Sequence, residues 1–141
     1  MKTAVLTVVY EGVEPYINDF MISLQQQTDT NFDLIIINDG FKQLDQLLSR
    51  FNINSRTLHF EASFVERRKQ GIKRLKEEGY DTVVFADSDD YFNSQRIEIT
   101  KQLLANYDLV CNELVLFGES VSDIIPMASS RFYDGQVLTL K

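Results

Sequence analysis

Residues Thr82-Val83-Val84-Phe85-Ala86 are an apolar run suited to a buried strand, and the run stops abruptly in Asp87-Ser88-Asp89-Asp90. Carboxylates this close repel one another, and leaving them unpaired at the end of a buried strand is costly. A divalent cation is the simplest relief. Oxygen-only ligands suit Mg²⁺ or Mn²⁺, hard ions that take one or two carboxylates and complete their shell with substrate phosphate oxygens. The bland alternative is a polar loop that caps the next helix, since Asp, Asn and Ser favour N-caps. One cap needs one acid, however, and Asn93 or Ser94 already supplies it. The metal-diphosphate reading leads.

Such a site needs a scaffold, and the rest of the chain describes one. At 141 residues the chain is long enough for one domain, burying roughly 68–70% of the surface its unfolded form exposes. Hydrophobic residues at 44% and charged residues at 25% are ordinary for a globular chain. A formal net charge of −7 leaves no basic surplus for a general nucleic-acid binder. It also means that an anionic ligand needs a cation or a local basic cluster. Cys111 is the sole cysteine, which excludes an intramolecular disulfide and argues against a Cys-based zinc site. Neither a signal-peptide pattern nor a stretch of transmembrane length is visible. A cytoplasmic location is the expectation, with docking to the inner face of a membrane left open.

Strands and helices alternate. Thr3–Tyr10 is a β-branched, apolar strand candidate, and from Glu14 to Gln27 the residues Ile17, Phe20, Met21 and Leu24 recur on one helical face. Residues 32–38 form a second strand ended by the turn signal Asn38-Asp39-Gly40, followed by a short helix over about 42–51. Residues 55–61 form a third strand. A basic helix over 63–78 is expected to face Phe64, Ile72 and Leu75 inward, with Gly79 as its C-cap. Residues 81–86 are the fourth strand, a helix runs to about Asn106, and residues 108–117 form a further strand. Apolar strands separated by amphipathic helices mean an α/β fold, a mostly parallel sheet with helices on both faces. Residues 118–141 show no clear period and read as a loop with a short strand pair; the C-terminus reads as truncated.

In open α/β sheets, ligands sit outside the carboxyl ends of the strands, near a topological switch point. The first strand ends in Tyr10-Glu11-Gly12, the second in Asn38-Asp39-Gly40 and the fourth in the acid cluster. An aromatic ring that can stack on a base, a lone acid that can accept from a base or ribose, and a metal-holding cluster would share one rim. Those parts fit a nucleotide diphosphate. No glycine-rich phosphate loop is present to hold the phosphates on a helix N-terminus. Each residue also has a plainer reading. Tyr10 could be a core aromatic and Asp39 could merely shape its turn; His59 and Cys111 read as packing residues. Arg67, Arg68, Lys69, Lys73, Arg74 and Lys76 read mostly as a solvated helix face, with only Arg68 given a functional role.

In order, the chain shows Val8-Val9-Tyr10-Glu11, Leu24-Gln25-Gln26-Gln27-Thr28, Ile37-Asn38-Asp39-Gly40-Phe41, Arg67-Arg68-Lys69-Gln70-Gly71-Ile72 and Ala86-Asp87-Ser88-Asp89-Asp90. This succession resembles the N-terminal, nucleotide-sugar-binding portion of a family 2 glycosyltransferase with the Rossmann-like GT-A fold. The resemblance covers about residues 3–117. Glu11, Asn38, Phe41 and Lys69 depart from the family pattern of Asn, Asp, Ser and Asn, which suggests a divergent base or sugar preference.

The resemblance implies a single donor-binding domain over 1–141, with 118–141 the start of an acceptor region. By position, Tyr10 and the backbone at Val8 would contact the base and Asp39 would hydrogen-bond its ring. Arg68 would bring positive charge to the nucleotide, and Asp87 would face the ribose. Asp89 and Asp90 would hold Mn²⁺ or Mg²⁺. The expected activity is transfer from a nucleotide sugar, UDP-sugar by default, to a carbohydrate or lipid-linked acceptor with inversion. None of Asp108, Glu113, Glu119, Asp123 and Asp134 is identifiable as the general base. Two rival readings are a non-catalytic nucleotide-binding module and a Mg²⁺-dependent phosphatase. The phosphatase motif belongs after a first strand, whereas this cluster follows the fourth.

Overall fold

The computed structural model describes residues 1–112 together with two short strands, 114–116 and 125–127. The chain divides into two compact units, Met1–Gln102 and Leu103–Lys141.

The first unit is built on strands β1 (Thr3–Tyr10), β2 (Asp33–Asp39), β3 (Ser55–Leu58) and β4 (Thr82–Phe85). Between them lie helices α1 (Glu14–Gln25), α2 (Leu44–Leu48) and α3 (Phe64–Glu77), and α4 (Arg96–Leu104) begins after the acid cluster. The four strands are parallel in the order β3-β2-β1-β4. The chain therefore winds from β1 outward through β2 to β3, then returns to add β4 on the other side of β1. The reversal opens a crevice at the carboxyl ends of β1 and β4, where a ligand can enter without displacing packed backbone.

Both faces of the sheet are covered, as near-continuous apolar strands require. On one face Val5, Val9, Leu34, Ile36 and Val84 pack with Ile17, Phe20, Met21 and Leu24 of α1, Leu44 and Leu47 of α2, and Ile97 of α4. On the other, Ala4, Leu6, Val8, Ile35 and Ile37 meet Leu75 of α3. Alternate residues of β1 thus belong to opposite cores, which fixes the strand register.

Helix α3 departs from expectation. Phe64 is 52% exposed and Ile72 39% exposed, while Gly71 and Leu75 take the inward positions. A Cβ on Gly71 would lie 3.0 Å from Ile37 Cδ1 and 3.5 Å from both Leu6 Cδ atoms. Missing that atom, the helix settles closely on the sheet along its 71–75 line, and Ile72, about 100° around the axis, is turned outward. Gly79 follows the helix with φ +75°, a left-handed conformation that suits glycine at a C-terminal cap. The short second helix covers only Leu44–Leu48, and β3 ends at Leu58.

In the second unit, β5 (Leu114–Leu116) pairs antiparallel with β6 (Ile125–Met127), placing Leu114 opposite Met127 and Leu116 opposite Ile125. The strand expected over 108–117 is therefore shorter, with residues 108–112 outside it. Among the described residues, no helix is long and apolar enough to cross a membrane.

Candidate functional site

An open groove of about 250 Å³ lies at the switch point, lined by Val8, Tyr10, Phe64, Arg68, Asp87, Ser88 and Asp89. Its floor is a junction of two strands. The amide of Ala86 donates to the Leu6 carbonyl at 3.1 Å, extending the β1–β4 pairing past β4, and buried Ser88 then donates its hydroxyl to the Val8 carbonyl at 2.8 Å. With Ser88 turned inward, its neighbours Asp87 and Asp89 are turned out, and both are exposed. The Asp90 amide donates to the Asp87 carbonyl at 3.1 Å, curling the cluster into a turn.

The four acids of the rim have different environments. Asp87 pairs with Arg68, whose guanidinium also lies 4.8 Å from the centroid of the Phe64 ring. Asp89 accepts a long hydrogen bond, 3.4 Å, from the Tyr10 hydroxyl. Partial burial, then the Asp89 charge and hydrogen bond, raise the Tyr10 pKa above its ordinary value. Asp90 is exposed as a residue, yet its carboxyl group sits against protein. Loss of hydration raises its pKa, and the charges of Asp87 and Asp89 add to the effect. Asp39, beside Tyr10 in the β1–β2 register, pairs with Arg67.

Asn38 explains why Asp39 is available. The Asn38 side chain accepts from the Phe41 amide at 2.9 Å and donates to the Phe41 carbonyl at 3.0 Å, closing the turn by itself. Gly40, at φ +94°, supplies the left-handed residue that the turn needs.

The expected residues Val8, Tyr10, Arg68, Asp87 and Asp89 line one groove; Asp39 stands beside it on the rim, and Asp90 lies next to it in the turn. Among the described residues, no three His, Cys, Asp or Glu side chains are arranged to hold one cation. The donor set at Asp89 and Asp90 is nonetheless all oxygen, and the charges of Asp87 and Asp89 raise the Asp90 pKa even with Arg96 acting in the opposite direction. The set fits a hard divalent ion that takes its remaining ligands from a bound phosphate and water.

Sequence reasoning overlooked two residues. Arg67 is not part of a solvated face: its side chain is 20% exposed, and its Nε donates to the Phe60 carbonyl at 3.1 Å. Gln27, 4% exposed, donates to the carbonyls of Ser23 (3.0 Å) and Asn93 (2.8 Å) and accepts from the Ile97 amide at 3.0 Å. It ties the end of α1 to the segment between the acid cluster and α4. Next to it, the Thr28 amide donates to the Ser94 carbonyl at 2.8 Å and its hydroxyl to Glu98 at 2.7 Å. The signal was the Gln27-Thr28 pair in the motif, which periodicity alone leaves without a role.

The family model for glycosyl transferase family 2 matches residues 4–135. Among solved structures, TarS 1–349 of S. aureus in complex with UDP-GlcNAc is similar at 25% identity and a TM-score of 0.61, covering 77% of this chain and 32% of that one. The same TarS fragment in complex with UDP is similar at 24% identity and a TM-score of 0.61, covering 77% of this chain and 33% of that one. A further TarS structure covers 82% of this chain and 21% of that one, at 24% identity and a TM-score of 0.61. The chain thus spans a third or less of the length of these relatives. No curated protein sequence matches it.

Proposed function

Because the chain belongs to glycosyl transferase family 2, we propose that its first unit is the donor half of a glycosyltransferase and binds a nucleotide sugar across the carboxyl ends of β1, β2 and β4. The observation that carries the reading is the convergence of Tyr10, Arg68, Asp87 and Asp89 on one groove at the switch point, with Asp39 on the adjacent strand end. A TarS structure similar at 25% identity is a complex with UDP-GlcNAc, which supports a uridine nucleotide sugar as the donor.

In this reading Tyr10 lies against the base and Asp39 accepts a hydrogen bond from its ring. Asp87, steadied by Arg68, accepts from the ribose hydroxyls. Asp89 and Asp90 would hold Mn²⁺ or Mg²⁺, which when bound acts as a Lewis acid that stabilises negative charge on a departing diphosphate. Ser88 holds the backbone that keeps Asp87 and Asp89 turned toward the groove. The acceptor, a carbohydrate or lipid-linked hydroxyl, would bond to the anomeric carbon and give up its proton to a base other than these groove residues, as the bond to the diphosphate oxygen breaks and that carbon inverts. We place its action in the cytoplasm as part of the same reading.

Thermal melting with UDP, GDP, dTDP and CDP, each with and without Mn²⁺, tests the reading. A nucleotide at 100 times its dissociation constant should add about 2.7 kcal/mol of stability. The expected result is a shift with at least one nucleotide that chelation reduces and Asp89→Asn reduces equally. A chain that no nucleotide stabilises, or whose shift ignores both chelation and Asp89→Asn, does not have this site.

A further inference from the structure

Consecutive arginines of α3 reach the ends of two different strands: Arg68 pairs with Asp87 beyond β4, and Arg67 pairs with Asp39 at the end of β2. Exposed ion pairs of this kind add little stability, because ordering two long side chains offsets the attraction. Arg67 differs in being largely covered and held at a second point, its Nε donating to the Phe60 carbonyl. A guanidinium anchored through Nε to a backbone carbonyl holds the partner of its terminal nitrogens in place. Asn38 closes the adjacent turn, so Asp39 has no duty in the local backbone. Its Oδ2 faces Arg67, and the side chain remains 38% exposed and open to a ligand.

We infer that Arg67 is a positioning residue for base selection: it holds the Asp39 carboxylate so that Oδ1 accepts a ring N–H, favouring diphosphates of uracil, thymine or guanine over those of cytosine or adenine. The inference rests on the donor-site reading above. A carboxylate only accepts hydrogen bonds. Uracil, thymine and guanine present a ring N–H on the pairing edge, whereas cytosine and adenine present a lone pair that a fixed carboxylate repels. A carboxylate free to swing could instead accept from the exocyclic amino groups of cytosine or adenine, and the discrimination would fade. Sites built to bind a substrate N–H reject analogues lacking it more strongly than apolar pockets do, provided the acceptor cannot move.

Calorimetric titration of UDP and CDP, both with Mn²⁺, against the wild type, Arg67→Ala, Arg67→Lys, Asp39→Asn and the double variant Arg67→Ala/Asp39→Asn tests this. The wild type should prefer UDP by about tenfold or more, and Arg67→Ala should bring that preference to within about threefold of unity. Arg67→Lys, which keeps the charge without the fork, should fall between them. Asp39→Asn, whose amide can donate to the cytosine lone pair, should also lose the preference, and adding Arg67→Ala to it should change the ratio no further. If Arg67→Ala weakens both nucleotides equally and keeps the ratio, Arg67 is merely structural and the inference is overturned. A wild type that prefers CDP overturns it as well. A wild type that binds neither nucleotide overturns the donor-site reading itself. Melting curves without nucleotide report folding, and Arg67→Lys carries the comparison if Arg67→Ala does not fold.

Discussion

The Ser88 hydroxyl and the Val8 carbonyl, eighty residues apart in sequence, are joined by a buried hydrogen bond of 2.8 Å that closes the seam between β1 and the loop after β4. This bond decides which way the acid cluster turns. Ser88→Ala leaves a buried carbonyl without its partner, so a loss of roughly 1–3 kcal/mol is expected in chemical denaturation. Nucleotide-induced stabilisation should fall as well, because Asp87 and Asp89 lose their fixed backbone.

Gln27 makes three hydrogen bonds at the ends of α1 and α4, two buried and the one to the Asn93 carbonyl partly so. Gln27→Ala should cost roughly 2–4 kcal/mol, near the upper range for single substitutions. Gln27→Glu keeps the shape but removes the amide donors, stranding the carbonyls of Ser23 and Asn93, and should cost nearly as much at neutral pH. A melt of Gln27→Glu that matches the wild type would show these bonds to be dispensable.

Glu78 accepts from Arg56, and this hydrogen bond, opposed by burial and reinforced by Arg74, lowers its pKa from 4.5 to about 2. A depressed carboxyl contributes stability that is present above its unfolded value and disappears as the pH falls. Tm should therefore decline between about pH 4.5 and about pH 2 through this group. Glu78→Gln should flatten that part of the profile and cost about 1 kcal/mol at pH 7, since Arg56 is too exposed for a larger effect.

Asp90 has the opposite sign. Burial of its carboxyl group and then the charges of Asp87 and Asp89 raise its pKa, so its contribution is favourable below the ordinary value and is lost as the pH rises. At pH 7 and with chelator present, Asp90→Asn should melt higher than the wild type. With Mn²⁺ and nucleotide present, the order should reverse, because the variant gives up a ligand for the cation. An unchanged order in both buffers would remove Asp90 from the cation's surroundings.

Strands and packing faces were legible wherever periodicity was strong. Thr3–Tyr10 and the Ile17, Phe20, Met21, Leu24 face of α1 stand where alternation and 3.6-residue spacing put them. Helix α3 was not legible in that way. Its inward line runs through a glycine, which carries no hydrophobic signal, so Phe64 and Ile72 drew the attention that belonged to Gly71. The site was legible as a list of strand ends, because parallel strands deliver their carboxyl termini to one rim. Arg67 was not, since a covered arginine and a solvated one look alike within a basic run. Gln27 was hidden for a related reason: a polar residue at a helix end gives no hint that the segment after the acid cluster will fold back onto it.

The close seating of Gly71 on Ile37 and Leu6 has a last consequence, which concerns phase. Gly71 and Leu75 set the rotation of α3, and Arg67 and Arg68 inherit it at four and three residues' distance. One added residue between Arg68 and Gly71 would leave the inner line docked and turn both arginines about 100° around the axis. Asp39 and Asp87 would lose their partners together, although neither strand had changed. The spacing between a buried glycine and two half-buried arginines thus acts as a gauge for the whole rim, and chains that keep every named residue but alter that interval should not share its binding behaviour.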